Sequence, residues 1–457
     1  MPIPASELFA WHTRWGAFER LIPPWETLRI VERNGGVRDG ARLVFDLVKG
    51  PMTVRWEALH RDYVEGRQFA DEQVRGPFAR WHHTHEFREL PPEQGRPQSE
   101  LVDRIEYQLP GGAMGLALAA SFTEAARNRA FGWRHDRTRE DLVRHEAYRD
   151  RDRLRVAISG ASGLVGGNLA AFLSTGGHDV RLIVRRPGAG ELPEITWDPA
   201  AGTIERGKLA DCDAVVHLAG ESVAGSWTTE RKRAIRDSRV LSTRLLAEAL
   251  TAQACPPRVF ICASAVGIYG DRGDETLTED SAAGTGFLPE VCQEWEAACE
   301  PLRQAGVRVV NLRIGVVLSP RGGALQKMLT PFQMGAGGVV GSGRQYLSWI
   351  GLDDLIGVIH FSLQESALSG PVHATAPEPA TNREFTRELG SVLHRPTLMP
   401  LPAFAVRAMF GEMGDHLLLQ GCRALPTRLE AAGFRFLTPH LNDALRWELG
   451  LAATERD

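Results

Sequence analysis

Val156-Ala-Ile-Ser-Gly-Ala-Ser-Gly-Leu-Val-Gly166 is the stretch whose reading decides the fold. It opens as a short apolar run, the pattern of a buried parallel strand. It then turns through Gly160, Gly163 and Gly166 into Asn168-Leu-Ala-Ala-Phe-Leu-Ser174, which reads as a helix closed by Gly176-Gly177. Asp179-Val-Arg-Leu-Ile-Val184 follows as a second strand and ends in Arg185-Arg186-Pro187. Strand, glycine turn, helix and strand make one βαβ unit.

Each glycine has a task in such a unit. Gly160 permits the tight turn, Gly163 lets the backbone approach a pyrophosphate, and Gly166 lets the helix pack against the strand. The helix start adds free N–H groups and the positive end of a dipole. Gly160, Ser162, Gly163, Leu164 and Val165 are therefore the expected cradle of a dinucleotide. An ordinary strand-to-helix turn is the competing reading, and the position between strand and helix favours the cofactor. Enzymes that prefer NAD place a carboxylate at the end of the second strand to hold the ribose 2′-OH. This chain has Arg185 and Arg186 there, and a guanidinium suits a 2′-phosphate, so NADP is expected.

At 457 residues the chain is long enough for two or three domains of about 150 residues each. Its net charge of -4 gives no footprint for nucleic acid or an anionic membrane. Six cysteines all lie after residue 200, none in a CxxC spacing, and no secretory leader is read before them. Free thiols in the cytoplasm are expected. The apolar run Gly115-Leu-Ala-Leu-Ala-Ala120 is too short to span a membrane.

Residues 1–151 have a different texture. Ser6 to Ile22 reads as short helical turns ended by Pro23-Pro24. Alternating runs follow at 27–31, 41–48, 52–59, 79–87 and 100–107, which argues antiparallel strands. Asn34-Gly35-Gly36 is a hairpin signal. After Pro110-Gly-Gly112 a helical pattern begins, with Leu116, Ala119, Phe122, Ala126 and Ala130 on one face. Residues 127–155 interleave both charges and read as a solvated helix end and linker. His82, His83 and His85 read as cavity-lining or surface histidines. Only adjacent Glu86 offers another donor at a familiar spacing, so no metal site is expected. "WHTRWGAFERLIPPW" and "GPFARWHHTHEF" resemble the START and polyketide-cyclase-like superfamily. That resemblance implies an α+β helix-grip domain, with either a pocket for an apolar ligand or a packing role.

Further along, Ala214 to Leu218 reads as the fourth strand of a doubly wound parallel sheet. Leu218, Ala219 and Gly220 stand at its ligand-binding end, and Glu221 is placed to accept from a ribose hydroxyl. The helical run Thr228 to Leu250 carries Arg231, Lys232, Arg233, Arg236 and Arg239. Most should be solvated, and Arg239 is the one chosen to reach a phosphate. "SGASGLVG", "VVHLAG", "SAVGIYG" and "NLRIGVVLS", in this order, look like an extended short-chain dehydrogenase/reductase. "WDP", "ERKRAIRDSRV", "WEAACEPL", "GSGRQYLSWI" and "GFRF" resemble a narrower group, the atypical epimerase-like oxidoreductases (cell-division-inhibitor-like or nucleoside-diphosphate-sugar epimerase). The resemblance implies an NADP-binding α/β Rossmann domain over 152–394, with the backbone at Gly315-Val316 facing the nicotinamide. It further implies a small C-terminal cap over 395–457, which would cover the cleft or support a homodimer.

That class uses a tyrosine acid/base with a lysine four residues on, where the cation favours the phenolate. None of Tyr63, Tyr107, Tyr148, Tyr269 and Tyr346 has Lys at that place. Cys292 and Glu296 occupy the expected positions, and a carboxylate would raise a neighbouring acid's pKa. Ser264 stands one residue from the usual serine place, which is Ala265. A local backbone bond suits Ser264 as well as catalysis does. Arg344, Gln345 and Trp349 are candidates for the substrate cleft, with a structural role equally open. No catalytic residue is assigned. The leading expectation is an NADP-binding oxidoreductase acting on a small organic substrate. The alternatives are a non-catalytic NADP-binding sensor or scaffold, and a binder of an apolar ligand in residues 1–151.

Overall fold

The computed structural model describes residues 1–188 and 190–451; the side chains of Lys49 and residues 112–122 lie outside that description. The chain divides into two compact units, with the change after Arg153. Among the described residues no helix is long and apolar enough to cross a membrane.

The front unit begins with α1 (Ala5–Thr13) and α2 (Ala17–Leu21). Six strands follow: β1 (Thr27–Asn34), β2 (Arg42–Lys49), β3 (Met52–Val64), β4 (Gln68–Arg75), β5 (Arg80–Glu93) and β6 (Arg96–Gln108). They pair in sequence order as one antiparallel meander. Gly35 and Gly36 take positive φ (72° and 66°) in the first turn, as the hairpin signal required. The long helix α3 (Gly112–Glu146) closes this helix-grip unit. Phe9 of α1 packs edge-on to Phe69 and Phe87, in a core that also takes Leu8, Trp11 and Leu142.

Three expectations for this unit change. β4 was not visible as a strand, because its inward positions include Asp71 as well as Phe69, which breaks the apolar alternation. The charged run 127–146 is helix rather than linker. Its Asp141 is buried and receives Arg20 Nε at 2.7 Å, and that pairing makes a buried carboxylate tolerable. Of the expected apolar face, Leu116, Ala119 and Phe122 fall outside the described side chains, Ala126 is exposed and Ala130 half-buried. Burial comes instead from Trp133, Thr138 and Leu142.

The second unit starts with β7 (Arg155–Ser159), α4 (Leu164–Thr175) and β8 (Asp179–Val184). Next come β9 (Glu194–Asp198), β10 (Thr203–Ile204), β11 (Ala214–His217), α5 (Thr229–Thr251) and β12 (Val259–Ala265). Its eight-stranded sheet runs β10-β9-β8-β7-β11-β12, then Arg308–Ile314, then Gly370–Ala374. All pairings are parallel except that of β10 with β9. This is a doubly wound Rossmann sheet, and its strand order reverses between β7 and β11. The central strands are buried on both faces, which is why they read as unbroken apolar runs. The last helix, Leu441–Glu448, sits in a core with Trp349 and Phe385, so the C-terminal segment is built into this unit at that end.

Candidate functional site

Ligands bind an open α/β sheet outside the strand ends where the order reverses, and here that is the crevice between β7 and β11. Gly160 follows β7 with φ of +77°. A Cβ there would lie 2.8 Å from the carbonyl carbon of Leu218, so the turn closes directly onto the end of β11. Gly166 is packed as tightly, since its Cβ would come within 2.4 Å of Gly160 O. Gly163 differs. It is exposed, and its Cβ would meet only Gly160 O, at 3.2 Å. Two glycines are thus needed by the fold, and the third keeps an open face. Ser162 beside it is exposed, and Leu164 and Val165 begin α4 half-buried. The amides of a first helical turn have no intrahelical acceptor, so this open face carries donors suited to a pyrophosphate.

Arg185 and Arg186 follow β8 directly and are both exposed. Among the described residues neither forms an ion pair. Across the crevice, Leu218 and Ala219 are half-buried and Gly220 is exposed. A Cβ on Gly220 would sit 3.3 Å from the Arg239 guanidinium carbon.

The five cations of α5 separate cleanly. Arg231 pairs with Glu221 (2.9 Å), Lys232 with Glu412 (2.6 Å), Arg233 with Asp237 (3.3 Å) and Arg236 with Glu294 (2.6 Å). Arg239 instead donates to the carbonyls of Glu221 (3.0 Å) and Ile235 (2.9 Å) and lies over the Trp295 ring. Among the described residues its charge is left without a carboxylate, beside Gly220. Glu221 is half-buried and already engaged by Arg231. Gly315 N–H donates to Ala374 O and Val316 N–H to Ser348 O, so contact with a ligand there falls to the half-buried Val316 side chain. The glycine turn, the open face and the spare guanidinium groups together fit a phosphorylated dinucleotide.

Where the tyrosine-lysine pair would stand, α6 (Phe287–Ala297) presents Cys292 and Glu296. Burial, with Glu296 nearby, pushes the Cys292 thiol up to about 12, which leaves it protonated and inert. Glu296 receives both arms of Arg313, each at 2.9 Å, and Ser264 Oγ at 2.7 Å. Ser264 is therefore tied to a side-chain network, and a local backbone bond does not account for it. The network continues from Arg313 to Tyr269 Oη (2.7 Å), which meets His373 Nε2 at 2.5 Å. Tyr269 is 1 % exposed, and burial raises it to about 12, so it stays neutral and away from solvent. Trp349 is wholly buried and donates to Glu378 O, so it is a core residue and does not line the cleft. Gln345 bridges the carbonyls of Val340 and Leu418, whereas Arg344 is exposed. All six cysteines are free, and of these Cys255 alone is exposed.

Known proteins match the whole of this layout. The model of the NAD dependent epimerase/dehydratase family matches residues 156–373. That of the polyketide cyclase/dehydrase and lipid transport family matches 1–135, and a domain of unknown function matches 401–448. Epimerase family protein Mb2239 of Mycobacterium bovis is 46 % identical over 291 residues, 64 % of this chain and 96 % of that protein. A nucleoside-diphosphate sugar epimerase structure from Corynebacterium glutamicum aligns with 98 % of this chain and 89 % of its own, at 33 % identity and a TM-score of 0.79. The structure of human epimerase family protein SDR39U1, solved with NADPH, aligns with 65 % of this chain and 99 % of its own. There the identity is 33 % and the TM-score 0.58.

Proposed function

The chain belongs to the epimerase family of Rossmann-fold proteins, as an atypical extended short-chain dehydrogenase/reductase behind a polyketide-cyclase-like domain, and from that premise we propose that it binds NADP(H) and transfers hydride to or from a small organic substrate. The observation that carries the cofactor choice is the pair Arg185 and Arg186, exposed after β8 and without carboxylate partners among the described residues, where a 2′-phosphate would lie. The NADPH in the human relative's structure supports it. The turn from Gly160 to Val165 holds the pyrophosphate, Arg239 adds positive charge beside Gly220, and Val316 lies toward the nicotinamide. Bound NADPH supplies the hydride. This chain's residues supply orientation. Steady oxidation of NADPH with one member of a panel of aldehydes, ketones and nucleotide sugars is the expected result, and binding without turnover of any would count against catalysis.

A second reading, a non-catalytic NADP(H) sensor or scaffold, is favoured by one specific observation. Cys292 is protonated and Glu296 is locked to Arg313, so neither replaces the missing acid/base pair. Both readings share the cofactor site, and the turnover panel separates them.

A further inference from the structure

Strand register in the front unit builds a cluster that spacing along the chain does not reveal. Asp71 on β4 pairs opposite His83 on β5, and Asp103 on β6 pairs opposite His85. His83 and His85 share the inner face of β5. One donor atom from each of Asp71, His83 and His85 lies within 4.8 Å of the other two. His83 Nδ1 and His85 Nε2 are 3.2 and 3.8 Å from Asp71 Oδ2. Donors around a Zn²⁺-sized ion at about 2.1 Å stand about 3.0–3.4 Å apart, so the two nitrogen–carboxylate gaps need close by less than about 1 Å, and the nitrogen–nitrogen gap, within 4.8 Å, has to close with them.

We propose that this cluster binds one divalent first-row transition-metal ion through Asp71, His83 and His85. Asp103 has the place of the outer carboxylate that orients metal-bound histidines. Its Oδ1 accepts from His83 Nε2 at 3.0 Å and lies 2.7 Å from His85 Nδ1. Its Oδ2 meets His135 Nε2 of α3 at 2.6 Å. The competing occupant of the same space is a proton on His83, shared with Asp71. A proton satisfies that one pair. It leaves His85 Nε2 at 3.8 Å, beyond hydrogen-bond reach, and the buried His85 Nδ1 is close to Asp103 without an aligned bond. A metal ion engages all three donors at once. Arg134 faces the two carboxylates from α3, but its Nε is committed to Leu21 O at 3.0 Å. Two imidazoles with a carboxylate suit zinc, iron or cobalt better than calcium or magnesium.

The test is titration of chelator-stripped full-length protein with Zn²⁺, read by calorimetry, and with Co²⁺, read by its visible spectrum. One ion per chain is expected. Asp71→Asn and His85→Gln should weaken binding at least about 10-fold, and Asp103→Asn about 10–100-fold. Cys255→Ser should change nothing. Equal affinity in wild type and His85→Gln, or no stoichiometric binding, overturns the proposal. Should the variants fail to fold, zinc-edge X-ray absorption of the loaded wild type decides. A nitrogen/oxygen shell with two imidazoles supports the site, and sulfur ligation overturns it.

Discussion

Gly163→Ala should separate cofactor binding from folding. Gly163 is exposed, sits just before α4, and has φ outside the left-handed region. An added methyl meets only Gly160 O at 3.2 Å. Replacing glycine by alanine at a helix N-cap costs about 1 kcal/mol, and for a unit of this size the melting temperature should fall by about 2–4 °C. The same methyl projects from the face offered to the pyrophosphate, so one or two charge-assisted hydrogen bonds are lost. At about 1.5–3 kcal/mol each, NADPH affinity should fall roughly 10- to 150-fold for each bond lost. Gly160→Ala is the contrast. Its φ of +77° and the 2.8 Å approach to Leu218 forbid a side chain, so the fold itself should be lost or weakened by more than about 2 kcal/mol. Calorimetric titration with NADPH beside thermal unfolding reads both quantities. Undiminished NADPH binding by a stably folded Gly163→Ala would refute the assignment of the open face.

Three further outcomes are expected. Glu296→Ala leaves the buried Arg313 unpaired and should cost about 3–5 kcal/mol, read as a large drop in the urea midpoint; a midpoint within error of wild type would mean the network is not structural. Arg239→Met should weaken NADPH and NADH equally, since its guanidinium stands beside Gly220 and not at the Arg185 end, and a selective loss of NADPH would contradict that placement. His217 is fully buried between Ser159 and Ser242, and burial lowers its pKa from 6.5 to about 3. Its folded pKa lies below the unfolded value, so the stability tied to its neutral form is present above pH 6.5 and is lost as pH falls toward 3. By pH 5 that loss is about 2 kcal/mol, and His217→Gln should lose that much less between pH 7 and 5 in urea titrations.

The Rossmann half was legible because its strands are buried on both faces and its glycines are needed by the backbone. Val156 to Gly166 carries both signals in one stretch. Arg185 and Arg186 were legible for a similar reason, since a strand end fixes where they stand. What stayed hidden depends on partners distant in the chain. For Trp349 sequence left cleft and core equally open, and its burial in the cluster with Phe385 decides for the core. Asp141 looked solvated because its partner, Arg20, lies far away in sequence. β4 carries no alternating signal because Asp71 faces inward, and without that strand the register that sets Asp71 opposite His83 has no trace in the sequence. Around α5, carboxylates pair with four of the five cations and leave Arg239 on backbone carbonyls, an arrangement that sequence alone does not show.

The most direct measurement of the central claim is titration of the purified chain with NADPH and with NADH, repeated on Arg185→Glu. Losing a charge-assisted contact to the 2′-phosphate and adding a carboxylate there should weaken NADPH by at least about 10-fold, while NADH changes little. NADPH that binds wild type more tightly than NADH, and loses that preference in the variant, is the predicted result. No binding of either nucleotide, or equal loss of both in Arg185→Glu, would contradict the account.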